Sequence, residues 1–309
     1  MKILIELPTW LGDAVMATPA IENIINYYEN SNITLIGSIN STEALKYHPK
    51  INRTFVLEKK YISLYQITRQ LGRFDIFFSF RNSFRAKFLS FFINSKKKYQ
   101  IKNEKNHNYH QVEKYNNFIN ACLKKNFFVG KLIINNNNKL TIKKSNLLLG
   151  INPGASYGNA KRWYPEEFAK VAAKLSDRYE IIIFGGSDEK NIADDIENSL
   201  IEKDVLNYKN LAGKTSISEL ISHIANLDLF ITGDSGPMHL AASFQIPTVS
   251  IFGPTRDEAT SQWMNAKSVV VKKNLDCQPC MKRTCPLKHH NCMKSIQAKD
   301  VLEAVKSLD

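Results

Sequence analysis

The sequence lacks any long apolar run. No stretch of its 309 residues approaches the uninterrupted apolar length that crosses a lipid bilayer as a helix. The first residues, Met1–Leu7, include the acidic Glu6 and are soon followed by Pro8, which is typical of a first strand and not of a secretory signal peptide. Repeats of solenoid period are also absent. We therefore expect a cytoplasmic globular protein that is long enough for two medium-sized domains.

Acidic residues are scarce relative to basic ones. The chain has 29 aspartates and glutamates against 42 lysines and arginines, and its formal net charge is +13. Such an excess favours polyanionic partners, although part of it could be solvated surface only. One concentrated basic region comprises Lys96–Lys98, Lys102 and Lys105. Because neither zinc-finger spacing nor an aromatic RNA-binding motif accompanies it, we expect no nucleic-acid partner.

Cysteines are few, and most of them are close together. Four of the five are Cys277, Cys280, Cys285 and Cys292. Their C-x2-C-x4-C-x6-C run contains His289 and His290, whereas Cys122 stands alone. In a cytosolic protein such a cluster indicates metal binding or redox chemistry more than stable disulfides. The C-x2-C half suits a structural zinc site, but the second half lacks a matching pair, so reduced thiols or local disulfides stay open as well.

Apolar runs alternate with helix-like stretches in two series. The predicted strands are Lys2–Leu7, Ile33–Gly37, Thr54–Leu57 and Phe74–Phe80 in the first series, and Leu147–Asn152, Glu180–Phe184, Asp228–Thr232 and Thr248–Phe252 in the second. A polar run at 135–138 separates them. The pattern predicts two doubly wound α/β domains, 1–144 and 145–309, that face each other across a cleft. Ligands of such sheets bind beyond the carboxyl ends of the strands.

The first candidate loop, Pro8–Val15, directly follows the first predicted strand. Gly12 permits a tight turn or a close backbone approach, and Asp13 lies where a helix begins. Asp13 could be an N-cap that accepts hydrogen bonds from free backbone donors, or a general base at the mouth of the cleft. This segment alone favours the N-cap.

The second candidate loop, 152–163, follows a predicted strand and precedes a helix that opens at Pro165. Small residues are followed in it by Lys161 and Arg162, beside Trp163. This composition suits a phosphate-binding loop, although no P-loop pattern is present. Ordinary loop chemistry explains its glycines equally well.

The third candidate loop, 232–239, runs from a predicted strand into a helix predicted to begin at His239. Backbone N–H groups of Ser235 and Gly236 at a helix N-terminus could bind a phosphate. Asp234 could be a simple N-cap, and His239 could either reach a phosphate or pack beneath the loop.

Taken in order, these segments resemble glycosyltransferase family 9, the ADP-heptose:lipopolysaccharide heptosyltransferases. The matching segments are LPTWLGDAVMATPA, NPGAS…AKRW and GDSGPMHLAA…FGPT. The tail DCQPCMKRTCPLKHHNCM is most similar to that of the subtype that adds the second heptose. The resemblance implies a GT-B fold, with acceptor bound mainly by the first domain and nucleotide-sugar by the second, within which the Cys-rich segment 277–292 lies. It also implies inversion by direct displacement, with no metal or other cofactor needed for catalysis.

The resemblance also assigns roles to residues. Asp13 matches the catalytic aspartate, the base toward the acceptor hydroxyl, and Lys161 matches the lysine that neutralises the departing ADP. The donor-binding residues that it implies are Ser156, Glu189, Asp234, Ser235, Gly236 and His239, with Glu189 on the ribose. The acceptor-binding residues are Gly12, Arg81, Arg85 and His110. One departure is Ser235, where family members commonly have threonine; serine keeps the hydroxyl and the backbone N–H.

The partners that follow are ADP-heptose as donor and the Kdo-lipid A inner core of lipopolysaccharide as acceptor. Lys96–Lys98 could rest against the anionic inner leaflet, which predicts peripheral contact with the inner membrane of a Gram-negative bacterium from the cytoplasmic side. The alternatives are a heptosyltransferase that adds the first heptose, a family 9 enzyme for another sugar, and a sugar-nucleotide epimerase of GT-B fold. A non-catalytic polyanion-binding protein is a more distant one.

Overall fold

The computed structural model describes residues 1–102, 109–136 and 146–308. The chain divides into two compact units, Met1–Asn137 and Asn138–Asp309. The boundary predicted after residue 144 lies outside the described residues and stays a prediction, and Lys105 of the basic region lies outside them too. Within the described part of the chain, no helix is long and apolar enough to cross a membrane.

The first unit contains a five-stranded parallel sheet of order β3-β2-β1-β4-β5. Its strands are β1 (Lys2–Glu6), β2 (Asn32–Gly37), β3 (Ile51–Val56), β4 (Arg73–Ser79) and β5 (Asn94–Gln100). Its helices are α1 (Leu11–Met16), α2 (Thr18–Tyr27), α3 (Ile39–Leu45), α4 (Tyr61–Leu71), α5 (Phe84–Phe92) and α6 (Gln111–Leu123). The strand order reverses between β1 and β4, which makes this pair the place where ligands of doubly wound sheets bind.

The second unit repeats this plan with six parallel strands in the order β11-β10-β9-β6-β7-β8. The strands are β6 (Leu147–Asn152), β7 (Tyr179–Ile183), β8 (Tyr208–Asn210), β9 (Leu229–Gly233), β10 (Thr248–Ile251) and β11 (Ser268–Val271). The helices are α7 (Pro165–Leu175), α8 (Lys190–Ile201), α9 (Ile217–Ile224), α10 (Gly236–Ser243), α11 (Asp257–Thr260), α12 (Asn291–Lys294) and α13 (Ala298–Lys306). Here the order reverses between β6 and β9, so the predicted pair of doubly wound domains is confirmed.

The central strands form where apolar residues run without alternation. Ile3, Leu4 and Ile5 of β1 are all fully buried, as expected for strands covered on both faces. The edge strand β5 has the sequence NSKKKYQ and is exposed or half-buried along its length. A polar edge prevents pairing with other chains, and the absence of an apolar run explains why the sequence did not predict this strand.

Trp163 anchors the loop after β6 to the core of the second unit. Its indole is almost fully buried, packs edge-on against Phe168 with ring centroids 4.7 Å apart, and donates Nε1–H to the carbonyl of Ile296 at 2.9 Å. Burial of an aromatic ring together with its one polar atom fixes the chain on both sides of it. The loop that ends at Trp163 is therefore held in place by the core.

Candidate functional site

The two central strands of the second unit bring two of the predicted loops side by side. β6 pairs with β9 in a register that sets Asn152 opposite Thr232 at the carboxyl ends. The Asn152 side chain donates to the hydroxyl of Ser235 at 3.3 Å, so the loop after β6 contacts the loop after β9. We refer to 152–163 as the lysine loop and to 232–239 as the donor loop.

A charged network joins these two loops to the loop after β10. The Lys161 ammonium lies 2.5 Å from Asp234 Oδ2, and the hydroxyl of Thr255 donates to the same oxygen at 2.7 Å. The Lys161 and Asp234 side chains are only 13% and 6% exposed, which makes this a buried ion pair. Charges withdrawn from water in this way are stable only when they are paired and hydrogen-bonded, as they are here.

The start of α10 differs from the sequence prediction. The helix begins at Gly236 and not at His239, and its N-cap is Ser235, so the N-cap interpretation of Asp234 was wrong. The Ser235 hydroxyl does not cap the helix; it lies 3.0 Å from the hydroxyl of Thr232. The first N–H groups of a helix have no acceptor within it, so the amides at this end can bind an anion. His239 lies in the first turn and is buried.

The Lys161 side chain also contacts an aromatic ring of its own loop. Its ammonium nitrogen lies 4.7 Å from the ring centroid of Tyr157. A ring face attracts a cation at this distance and restricts the flexible lysine chain. Together with the buried Trp163 two residues later, this contact gives Lys161 a defined position.

Glu189 lies against the backbone of the lysine loop. It follows β7 in a single 3-10 turn, is mostly buried, and accepts a hydrogen bond from the Gly186 N–H at 2.8 Å. A Cβ at Gly154 would collide with its carboxylate, so the glycine is needed for this approach. Ser156, two residues further along, is exposed. The predicted donor residues of the second unit are thus on neighbouring loops at one edge of the sheet.

Asp13 lies in the first turn of α1 and is not its N-cap, a position that Trp10 occupies. The N-cap interpretation that the segment alone favoured was therefore wrong. The Asp13 carboxylate accepts a hydrogen bond from the hydroxyl of Tyr115, on α6, at 3.2 Å. Burial raises the pKa of Tyr115 well above its usual range, and the Asp13 charge raises it further, so this phenol stays protonated. Gly12, beside Asp13, is buried within the same short helix.

Arg81 follows β4 and pairs with a buried acid at the end of β1. Its Nη1 lies 3.0 Å from Glu6 Oε1, and Ser79 donates its hydroxyl to the other oxygen at 2.5 Å. Burial raises the pKa of Glu6, while Arg81 and Ser79 oppose that rise. One predicted acceptor-binding arginine thus neutralises a carboxylate at the switch point of the first sheet.

The other two predicted acceptor residues also have local roles. Arg85, in α5, donates to the carbonyl of Glu58 at 2.6 Å. His110 is the buried N-cap of α6, and its Nδ1 accepts from the N–H of Val112 at 3.2 Å. His110 also donates its backbone N–H to Glu113 at 2.8 Å, which completes a capping box. Contact of these residues with an acceptor stays a prediction.

The cysteine-rich segment contributes four free thiols to one small cavity. The cavity is lined among others by Cys277, Cys280, Cys285, Cys292, His289 and His290. Burial raises the pKa of Cys292 to about 11, and the neighbouring thiols raise it as well. Among the described residues, no three histidine, cysteine or acidic side chains are arranged so that they could hold a metal ion. The structural metal stays a prediction.

Several residues of these networks were not singled out from the sequence. Thr255 lies inside a segment that carried the family resemblance, Tyr157 lies between the matched parts of another, and Tyr115 lies outside them. Their residue types gave no sign of a contact with Asp234, Lys161 or Asp13. Each of these contacts joins residues that the fold brings together from different turns or elements. A sequence signal for such contacts would have to come from two positions considered together, because neither residue alone indicates the contact.

The chain is similar to known proteins in sequence and in fold. The sequence profile of glycosyltransferase family 9 (heptosyltransferase) matches residues 98–291. The chain is 43% identical to lipooligosaccharide heptosyltransferase 2 of Campylobacter jejuni, over all of this chain and 99% of that protein. Its fold matches the structure of E. coli ADP-heptose LPS heptosyltransferase II with a TM-score of 0.82, at 21% identity, over 100% of this chain and 98% of that one.

A second solved structure, an E. coli heptosyltransferase with ADP, matches with a TM-score of 0.79 at 12% identity, over the full length of both chains. At these identities the structural matches show the fold, which is the predicted GT-B class. Membership of the family follows from the profile match over more than half of the chain and from the full-length relative. The chain belongs to glycosyltransferase family 9, the heptosyltransferases.

Proposed function

We propose that this chain transfers a heptose from ADP-heptose to the inner core of lipopolysaccharide or lipooligosaccharide, and that it adds the second heptose. The observation that carries the proposal is the buried Lys161–Asp234–Thr255 network at the switch point of the second sheet. The full-length likeness to a lipooligosaccharide heptosyltransferase 2 supports the choice of sugar and acceptor.

On the donor side, the reaction needs positive charge where the diphosphate departs. Lys161 supplies an ammonium, and the amides of Ser235 and Gly236 supply N–H donors at the start of α10. Asp234 pairs with Lys161 and holds its ammonium beside the start of α10, where a diphosphate can compete for it. Glu189 binds the ribose of the sugar-nucleotide donor, because it is a buried carboxylate held beside the lysine loop.

On the acceptor side, Asp13 is the base that removes the proton from the attacking hydroxyl as it displaces ADP from the anomeric carbon. The protonated Tyr115 donates to the carboxylate and so orients it. Direct displacement of this kind inverts the anomeric configuration. Neither step requires a metal ion.

The proposal is tested by ADP release from ADP-heptose with two acceptors, Kdo-lipid A without heptose and the same core bearing one heptose. We expect turnover only on the mono-heptosylated core, and only background hydrolysis without acceptor. Turnover on the heptose-free core alone would assign the first heptose instead. Activity on neither core would contradict the acceptor assignment.

We also propose that the protein works at the cytoplasmic face of the inner membrane, through the surface formed by α4 and α5. Ile62, Phe84 and Phe91 there are 73%, 77% and 78% exposed. Below them Tyr61 packs edge-on against Phe88 and Tyr65 against Phe92, at 5.0 and 5.1 Å between centroids. We call this the α4–α5 surface. Exposed apolar clusters of this kind mark interaction sites.

Basic residues next to the α4–α5 surface suit an anionic membrane. Lys60 and Lys87 are exposed there. Of the lysine run predicted for this role, Lys96 pairs with Asp75 at 2.6 Å and Lys98 donates to the carbonyl of Ser90 at 2.5 Å. The exposed Lys97 is therefore the member of the run most available to lipid headgroups.

Negative charge introduced on the α4–α5 surface should weaken membrane binding. We expect the double substitution Phe84→Asp and Phe91→Asp to weaken binding to vesicles of anionic phospholipid at least about tenfold, because each ring loses the free energy of transfer into lipid. Co-flotation with the vesicles measures the effect. Phe128→Asp is the matched control, since this ring is 96% exposed but lies beyond α6. Equal loss in the control, or no loss in the double variant, would contradict the assignment.

A further inference from the structure

The cysteine-rich segment, 277–292, packs directly against the lysine loop. The N–H of Ala160 donates to the carbonyl of Arg283 at 3.1 Å. The hydroxyl of Tyr157 donates to the carbonyl of Met281 at 2.8 Å. The backbone of the segment is therefore held in place beside the loop that carries the candidate catalytic lysine.

The same segment is fixed to the loop after β10. The N–H of Met281 donates to the carbonyl of Pro254 at 2.9 Å, next to Thr255. The side-chain amide of Gln278 donates to the carbonyl of Gly253 at 2.6 Å. Since Thr255 and Lys161 share the carboxylate of Asp234, the segment is attached to both ends of that network.

These attachments bring the Arg283 side chain to the ring that Lys161 contacts. The Arg283 guanidinium carbon lies 5.2 Å from the Tyr157 ring centroid, and the Lys161 ammonium lies 4.7 Å from it. A Cβ at Gly158 would collide with the carbonyl oxygen of Arg283, so a glycine at this position is what allows the approach. Two cations thus share one aromatic ring.

The two cations differ in how they are compensated. Lys161 is paired with Asp234 in a buried site. Arg283 is exposed, and within the described part of the chain it makes no ion pair. An exposed guanidinium that shares an aromatic ring with a second cation favours a multivalent anion, because repulsion between the cations is relieved when an anion binds to both.

We propose that Arg283 is a second cation for the diphosphate of the donor and contacts the β-phosphate beside Lys161. The inference rests on the proposed donor, a nucleoside diphosphate sugar. Arginine suits this position because its planar fork donates two parallel hydrogen bonds to one phosphate, whereas a lysine acts as a point charge. The cysteine-rich segment is then part of the donor site.

The test is the affinity of the purified full-length protein for ADP and for AMP, measured by calorimetry at two salt concentrations. We expect Arg283→Gln to weaken the binding of ADP about tenfold and the binding of AMP less than about threefold, because a charge-assisted contact to the β-phosphate is lost. The salt dependence of ADP binding should become shallower, and Arg283→Lys should fall between glutamine and wild type.

The matched control is Arg178→Gln. The Arg178 guanidinium lies 5.5 Å from the ring centroid of Tyr179, but at the start of β7 and therefore away from the carboxyl ends of the strands. We expect wild-type ADP affinity in this variant. If Arg283→Gln lowers the melting temperature and weakens the binding of ADP and AMP equally, the residue has a packing role only and the inference is overturned.

ADP binding by the wild-type protein separates the proposed donor from the proposed role of Arg283. If wild type binds ADP and Arg283→Gln binds it equally well, the inference fails and the proposed donor stands. If wild type binds neither ADP nor ADP-heptose, the proposed donor and the inference fail together. A tenfold loss confined to the diphosphate supports both.

Discussion

Asp13→Asn should lower kcat for heptosyl transfer by about 10³-fold, the size expected when a general base is removed. Asparagine keeps the shape of the side chain and can still accept the hydrogen bond of Tyr115, so the first unit should remain folded. Initial rates of ADP release at saturating donor and acceptor measure the effect, and calorimetry of ADP binding should show wild-type affinity.

Tyr115→Phe is the informative companion to Asp13→Asn. It removes the hydroxyl that orients the carboxylate but keeps the base, so we expect a loss of only about tenfold in kcat, the value of one hydrogen bond. Glu29→Gln, an exposed acid beyond α2, serves as the control with wild-type activity. If Asp13→Asn kept more than a tenth of the wild-type rate, Asp13 would not be the base.

Lys161→Met should lower kcat/KM for the donor by about 10²- to 10³-fold, since charge stabilisation at the departing diphosphate is lost. It should also destabilise the second unit by about 3 kcal/mol, because Asp234 would then be a buried carboxylate without its cation. Steady-state kinetics and thermal unfolding measure the two effects separately.

A second substitution separates stability from catalysis at Lys161. In the double variant Lys161→Met, Asp234→Asn the buried charge is absent, so we expect most of the melting temperature to return while the rate stays low. Lys209→Met is the surface control: its partner Glu180 lies 2.7 Å away, but the lysine side chain is 65% exposed, so the change should be below about 1 kcal/mol. Recovery of the rate in the double variant would contradict a direct role of Lys161.

The strands were predicted correctly from the sequence where an apolar run is directly followed by a loop motif. The central strands β1, β4, β6 and β9 are apolar because both faces of each are covered by helices, and that burial is visible in the composition alone. The edge strands β5, β8 and β11 were not predicted. Strands β5 and β8 are polar, because an edge strand is partly solvated and its backbone hydrogen bonds to one neighbour hold it in the sheet. Strand β11 has the sequence SVVV, so polarity does not explain why it was missed.

The N-caps of two helices next to the candidate site were predicted incorrectly. Asp13 and Asp234 both have the residue type and place of an N-cap, yet the N-caps are Trp10 and Ser235. Conversely His110 was matched to an acceptor segment and is itself an N-cap. Asp13 lies three positions after its N-cap and Asp234 one position before its N-cap, and a sequence does not fix helix starts to one residue.

The sequence by itself determined the fold class, the family and the loops in which the site lies. Buried strands and loop motifs are both patterns of consecutive residues, so they can be recognised without the structure. Only the tertiary structure decided what each charged group contacts. Lys161 and Thr255 meet at Asp234, and Arg283 lies beside Tyr157, because strand pairing and core packing bring together segments that are far apart in sequence. Distances between such segments depend on sheet register and core packing, which no local pattern encodes.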